Sequence, residues 1–249
     1  MSKKPTLFIT GNSSGLGRGL TEAYLERGWE VYGCSRRGCD IEHEALHDVR
    51  CDLADFEAVP ASLEKLLGSV DQLDLVILNA GMIGEIKEMH DTSLAEIREV
   101  MDINVWSNKV ILDWLHQWGR PVEQIMLVSS GASVLGNKGW GSYALSKSAV
   151  NMLARLYSHE FPETHISAVA PGLIDSAMMD YLCEEPDPDR FPAMERIRGA
   201  RGTDVMPKPR EAAERVAEAM PAFREFDSGS FIDIRQIQDP EQYEALMKG

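Results

Sequence analysis

Short apolar runs recur along the chain, each followed by a longer stretch whose apolar residues repeat at helical spacing. TLFIT (6–10) is the first run, and a glycine-rich turn and a helical segment over 16–27 follow it. EVYGCS (30–35) and DVRCDL (48–53) predict strands two and three, with a helix over 55–68 behind them. LDLVILNAG (73–81) predicts a fourth strand, followed by helices over 92–103 and 105–118. QIMLVSS (124–130) is the fifth, and a long helix covers 142–160. HISAVAPG (165–172) and GSFIDI (229–234) complete seven strands. Strands that are apolar along their whole length belong in a sheet covered on both faces, and repeated β–α alternation makes that sheet parallel. The expected fold class is therefore α/β: a doubly wound parallel sheet in a single domain, 1–249. Segment 173–210 breaks the pattern. Its EEPDPDRFP and MPKPRE stretches are rich in proline and charge, and we read it as an irregular lid over a substrate.

Composition narrows the partners. The chain has 249 residues, 44% hydrophobic and 26% charged, ordinary values for a soluble protein. Its apolar runs are strand-sized, so no membrane span is expected. The start, MSKKPTLFIT, does not resemble a secretory signal, and a cytoplasmic location is expected. A net charge of −15 argues against nucleic acid or an anionic membrane as partner. An anionic ligand must then be held by local positive features. Cys34, Cys39, Cys51 and Cys183 form no C-x-x-C pair, and the histidines lack ligand spacing. Free thiols and no metal site are expected.

Those local features are present. TGNSSGLGRG (10–19) follows the first strand directly, with glycines at 11, 15 and 17. Glycines allow a tight turn and a close backbone approach to a pyrophosphate, and the helix that opens there presents free N–H groups. Gly11, Asn12, Ser13, Ser14, Gly15, Leu16 and Gly17 are thus candidate dinucleotide-binding residues. After strand two, a carboxylate would bind the ribose 2′-hydroxyl of NAD. Ser35, Arg36 and Arg37 stand there instead, and an arginine fork suits a 2′-phosphate. NADP(H) is expected over NAD(H), two solvated loop arginines being the plainer alternative. Asp52, beside Leu53, either accepts an adenine amino group or caps the next helix. Asn79, Ala80 and Gly81 end strand four, the glycine bringing backbone near the cofactor. Tyr143 and Lys147 lie four apart at the front of the long helix, and residues so spaced are neighbours.

Taken together, these motifs resemble the short-chain dehydrogenase/reductase family in its form of roughly 250 residues. TGNSSGLG (10–17), NAG (79–81), Asn104 in MDINVWSN, Ser130 in LVSSGAS, YALSK (143–147) and PGLIDS (171–176) carry the resemblance, in the family's order. It implies a Rossmann-type fold and a catalytic tetrad of Asn104, Ser130, Tyr143 and Lys147. It implies that Pro171, Gly172, Ile174 and Ser176 line the nicotinamide end of the cofactor. Ser133 departs from the pattern, standing where a glycine is common, and FIDIRQIQ lacks the usual glycine pair.

On this reading NADPH reduces a ketone or aldehyde carbonyl, with Tyr143 as proton donor. Tyr143 is expected to be acidified by Lys147, since a nearby cation favours phenolate. Ser130, preferred over Ser129 on spacing, would hydrogen-bond the carbonyl oxygen. Asn104 would position a water leading from Lys147. Met178, Met179 and Tyr181 are read as lid lining, and Trp140 as a core residue or a flank of the substrate. Trp106, Trp114 and Trp118 are read as core or interface; His90, His116, His159 and His165 as structural. The helices over 105–118 and 142–160 resemble those through which family members pair, which implies a homodimer or homotetramer. The alternatives are an NAD-linked alcohol dehydrogenase of the same family and a non-catalytic NADP-binding scaffold.

Overall fold

The computed structural model describes residues 3–248, the side chain of Lys248 excepted. Its strands are β1 (Thr6–Thr10), β2 (Glu30–Ser35), β3 (Leu46–Arg50), β4 (Leu73–Leu78), β5 (Val122–Val128), β6 (His165–Ala170) and β7 (Ser230–Asp233). They pair in parallel in the order β3-β2-β1-β4-β5-β6-β7. The helices are α1 (Gly15–Glu26), α2 (Val59–Leu67), α3 (Leu94–Met101), α4 (Ser107–Trp118), α5 (Ala132–Leu135), α6 (Gly141–Glu160), α7 (Ala177–Glu184), α8 (Ala193–Ala200), α9 (Pro209–Ala219), α10 (Arg235–Gln238) and α11 (Pro240–Lys248).

Neighbouring side chains on a strand point to opposite faces, and here both faces are apolar. Phe8, Val76, Leu78, Ile125 and Leu127 pack against Leu63 of α2, Ile111 and Leu115 of α4, and Val150 and Leu153 of α6. Leu7, Ile9, Leu75, Ile77 and Met126 pack against Leu20 and Tyr24 of α1 and Ala213 and Val216 of α9. Each such aliphatic side chain, fully buried, contributes about 1.5–3 kcal/mol. The single-domain α/β architecture is as the sequence predicts. Strand order reverses between β1 and β4, and ligands of open α/β sheets bind in the crevice at that point.

Some boundaries differ from expectation, each for a local reason. β3 ends at Arg50, which pairs with Ser35 at the last residue of β2, so Asp52 and Leu53 lie beyond the sheet. α2 starts at Val59, because Asp55 first forms a turn that accepts the Ala58 N–H, and Pro60 sits in the first helical turn. The two predicted helices near residue 104 form one rod, joined by a π-helical turn over Asp102–Trp106. Ser93 and Glu96 cap its start reciprocally, at 3.2 and 2.8 Å. Gly119, at φ 65°, ends it in the left-handed region. The expected irregular segment 173–210 carries α7 and α8, each of eight residues. Pro186, Pro188 and Pro192 divide them, and pieces so short show no readable period. No helix among the described residues is long and apolar enough to cross a membrane.

Candidate active site

β1 ends at Thr10 and α1 opens at Gly15, so the glycine turn lies at the mouth of the crevice. Gly11 (φ 72°) and Gly15 (φ 56°) hold backbone that other residues rarely adopt. A Cβ on Gly17 would overlap Gly11 O and Asn79 Nδ2. The Asn79 backbone N–H donates to Thr10 Oγ1 at 3.0 Å, and its Nδ2 donates to Thr10 O at 3.0 Å and Gly11 O at 3.3 Å. The Ala80 N–H also reaches Thr10 Oγ1, at 3.1 Å. Asn79 thus locks the turn to the end of β4. Ser14 does not cap α1 with its side chain, and no acidic residue stands in the helix's first turn. The leading N–H groups therefore keep their attraction for an anion. Asn12 points away: Nδ2 donates to Asp48 Oδ1 at 2.7 Å, in space that Gly33 leaves free. It buttresses the turn from beneath. Ser13 is half-buried, and Leu16 is in the core.

Tyr143 and Lys147 share the buried face of α6, only 8% and 3% exposed. Lys147 Nζ donates to Val128 O at 2.7 Å and lies 5.6 Å from the centre of the Tyr143 ring. Burial lowers the ammonium pKa from 10.5 to about 8. Burial raises the Tyr143 pKa, and the neighbouring Ser130 side chain opposes the rise. The chain's own groups therefore do not produce the expected lysine-acidified phenol. The amine is spent on a backbone carbonyl, and desolvation is the larger effect on the hydroxyl. Asn104 is fully buried on the π-helical turn. Its Oδ1 accepts from the Met82 N–H at 2.8 Å, and its Nδ2 donates to Met82 O at 2.8 Å and Ser146 Oγ at 2.9 Å. The side chain is committed to these partners and fastens the loop after β4 to α6. Between Asn104 and Lys147 stands Gly81; a Cβ there would lie 3.1 Å from Asn104 Oδ1 and 3.5 Å from Lys147 Nζ. Beyond β6, Pro171 and exposed Gly172 lead to buried Ile174 and to Ser176, whose Cβ would lie 3.9 Å from a Cβ on Gly15. The structure thus gathers the glycine turn, the loop after β4, Ser130, Tyr143, Lys147 and 171–176 around one crevice.

Residues 5–187 match the family described as short chain dehydrogenase. The chain belongs to the short chain dehydrogenase family. It is 30% identical over 217 residues to a benzil reductase ((S)-benzoin forming) of Bacillus subtilis (strain 168), covering 81% of this chain and 87% of that protein. To a benzil reductase ((S)-benzoin forming) of Saccharomyces cerevisiae it is 28% identical over 233 residues, covering 85% and 88%. A solved structure of a short chain dehydrogenase family protein from Francisella tularensis subsp. tularensis SCHU S4 shares the fold, with a TM-score of 0.78 at 20% identity, over 93% of this chain and 97% of that one. As a short chain dehydrogenase, the chain is an NAD(P)-dependent oxidoreductase.

The adenosine side of this short chain dehydrogenase fits a dinucleotide. Ser35 Oγ is buried and, among the described residues, has no hydrogen-bond partner. Arg36 is exposed, and Arg37 Nη2 donates to Ser14 Oγ at 3.0 Å, bridging to the glycine turn. Arg50 joins them, paired with Ser35 across the sheet; a Cβ on Gly38 would lie 3.2 Å from its Nε. Sequence order hides this residue, because only strand pairing brings it there. Asp52 is exposed, and its Oδ1 accepts the Ala54 N–H at 3.1 Å, capping a turn rather than α2. The Leu53 side chain goes into the core, which leaves only its backbone for a ligand.

The opposite wall is apolar. Met179 and Leu182 of α7, Phe191, and Met194 and Ile197 of α8 pack with Trp140, Tyr143 and Ile86. Trp140 and Tyr143 have ring centroids 5.9 Å apart. Tyr181 and Met178 edge this cluster, and the Tyr181 hydroxyl accepts the Ile86 N–H at 2.8 Å. Arg190 and Lys138 pair with Glu88 on its rim, and Arg201 and Lys208 with Asp175. Aiming hydrogen bonds also come from Thr10, inside TGNSSGLG, from Ser146, inside YALSK, and from Asn151, which lies outside the motifs, eight residues after Tyr143.

Proposed function

We propose that this enzyme reduces the carbonyl of a small, apolar ketone or aldehyde with NADPH, Tyr143 delivering the proton. The observation that carries this reading is the buried Tyr143 side chain, inside an apolar cluster and one helical turn from Lys147, whose Nζ lies 5.6 Å from its ring centre. Bound NADPH supplies the hydride. Gly11, Gly15 and Gly17 make room for its pyrophosphate, and Ser35 with Arg36, Arg37 and Arg50 takes the 2′-phosphate. Asn79, Ala80 and Gly81, with the Asp52–Leu53 backbone, line the adenosine side and floor. Pro171, Gly172, Ile174 and Ser176 take the nicotinamide end. Ser130 orients the substrate oxygen, and Lys147 holds the nicotinamide ribose. Asn104 keeps the loop after β4 in register with α6. Because burial raises its pKa, the Tyr143 hydroxyl carries its proton at neutral pH. A protonated hydroxyl is the form that a carbonyl reduction needs.

The relatives named benzil reductase and the lining of Trp140, Met179 and Phe191 together support an aromatic ketone or diketone as substrate. Residues 173–210 act as the lid. The exposed apolar residues Leu145, Met152 and Leu156 of α6 support pairing with a second copy, as a homodimer or homotetramer. A cytoplasmic location accords with the four free cysteines. The test is oxidation of NADPH, followed by absorbance, with benzil and a panel of aliphatic ketones, aldehydes and sugars. Benzil and its analogues should turn over fastest. Tight NADPH binding without turnover of any carbonyl would favour the scaffold reading, and a preference for NADH would overturn the assignment of the arginines.

A further inference from the structure

Ser130 stands on the step between β5 and α5, where its Oγ accepts the Ala132 N–H at 3.2 Å. Its neighbours on both sides are held by one residue. Ser129 Oγ donates to Asn151 Oδ1 at 2.5 Å, and Asn151 Nδ2 donates to Ser133 Oγ at 2.9 Å. Ser133 Oγ in turn donates to the Ser130 carbonyl at 2.7 Å. Ser148 Oγ adds a bond to Ser133 O at 2.7 Å. Asn151 lies one turn beyond Lys147 and two beyond Tyr143, so the helix face bearing phenol and amine also bears this clamp. Ser133, which departs from the family pattern, supplies the second hydroxyl; a glycine there would leave Asn151 only Ser129.

We infer that Asn151 is a positioning residue for the reduction, holding Ser130 within hydrogen-bonding reach of the Tyr143 hydroxyl by tying Ser129 and Ser133 to α6. The inference rests on the proposed roles of Ser130 and Tyr143. An error of about 1 Å in a group touching the reacting atoms can cost on the order of 100-fold in rate. The Asn151 side chain is spent on Ser129 and Ser133, so its effect on the reaction passes through Ser130.

The test is a double-mutant cycle of Asn151→Ala and Ser130→Ala, read as kcat for benzil, with NADPH affinity and melting temperature measured alongside. Asn151→Ala should lower kcat about 10- to 100-fold while NADPH affinity stays within about two-fold. In the Ser130→Ala background the same change should cost less than about two-fold, because the group it positions is gone. The alkaline limb of the Asn151→Ala profile should also move to higher pH, since the Ser130 bond that restrains the phenol's rise is weakened. If Asn151→Ala does not fold, Ser133→Gly serves, with an expected loss of a few-fold. Equal costs in both backgrounds, or unchanged kcat in Asn151→Ala, would overturn the positioning role alone. Parental turnover by Ser130→Ala would overturn the reading of Ser130 itself, and this inference with it.

Discussion

On one side of the crevice, Gly11, Gly15 and Gly17 make a turn out of backbone, and Thr10 and Asn79 fix it with hydrogen bonds. On the other, Met179, Leu182, Phe191 and Met194 fill the space beside Tyr143 with side chains and no regular ladder. The two walls tolerate opposite changes. A backbone-built wall fails when a single carbon is added, and asks of its side chains only the hydrogen bonds of Thr10 and Asn79. A side-chain-built wall accepts volume-conserving exchange, which leaves the glycine turn undisturbed.

Tyr143→Phe should separate the walls most sharply. Turnover should fall about 10³-fold, while NADPH affinity by fluorescence titration stays near the parent value, because the phenol acts only at the reacting atoms. Gly17→Ala is the mirror image. Its methyl would overlap Gly11 O and Asn79 Nδ2, and overpacking of about 2–3 kcal/mol predicts an affinity loss of roughly 100-fold by the same titration. Parental affinity in Gly17→Ala would show the turn to be looser than its geometry implies. Arg36→Asp should lower the ratio of NADPH to NADH affinity about 10- to 100-fold, one charge-assisted hydrogen bond being lost and a repulsion gained.

The smallest effect expected is on stability. Folding lowers the Lys147 pKa, so between about pH 8 and 10.5 the unfolded chain binds a proton that the folded chain has released. Stability from this group therefore rises with pH through that window, and below it the buried charge is a burden. Lys147→Met should stabilise the cofactor-free protein by about 1–2 kcal/mol at pH 7 in urea unfolding, the Val128 carbonyl left unpaired taking back part of the gain. The gain should vanish above pH 10.5. A destabilised Lys147→Met at pH 7 would mean that the amine's bond to Val128 outweighs its desolvation.

The backbone wall was largely legible in the sequence. Gly11 and Gly15 are required by positive φ, and Tyr143 and Lys147 meet because four residues make about one helical turn. What escaped depends on pairing across the fold. Arg50 reaches Ser35 and Gly38 only because β3 lies beside β2. Asn12 faces Asp48 because Gly33 leaves it room. The burial of Tyr143 is not legible, because α7 and α8, which pack beside it, are hidden among prolines.

The π-helical turn at 102–106 acts as a phase shifter. One surplus residue in a continuous rod rotates everything downstream by about 100°. Deleting any one of those five positions would mend the ordinary helical pitch, yet swing Ile111, Leu112 and Leu115 off the sheet or pull Asn104 away from Met82. Length, together with the identity of Asn104, is what an engineer must conserve there.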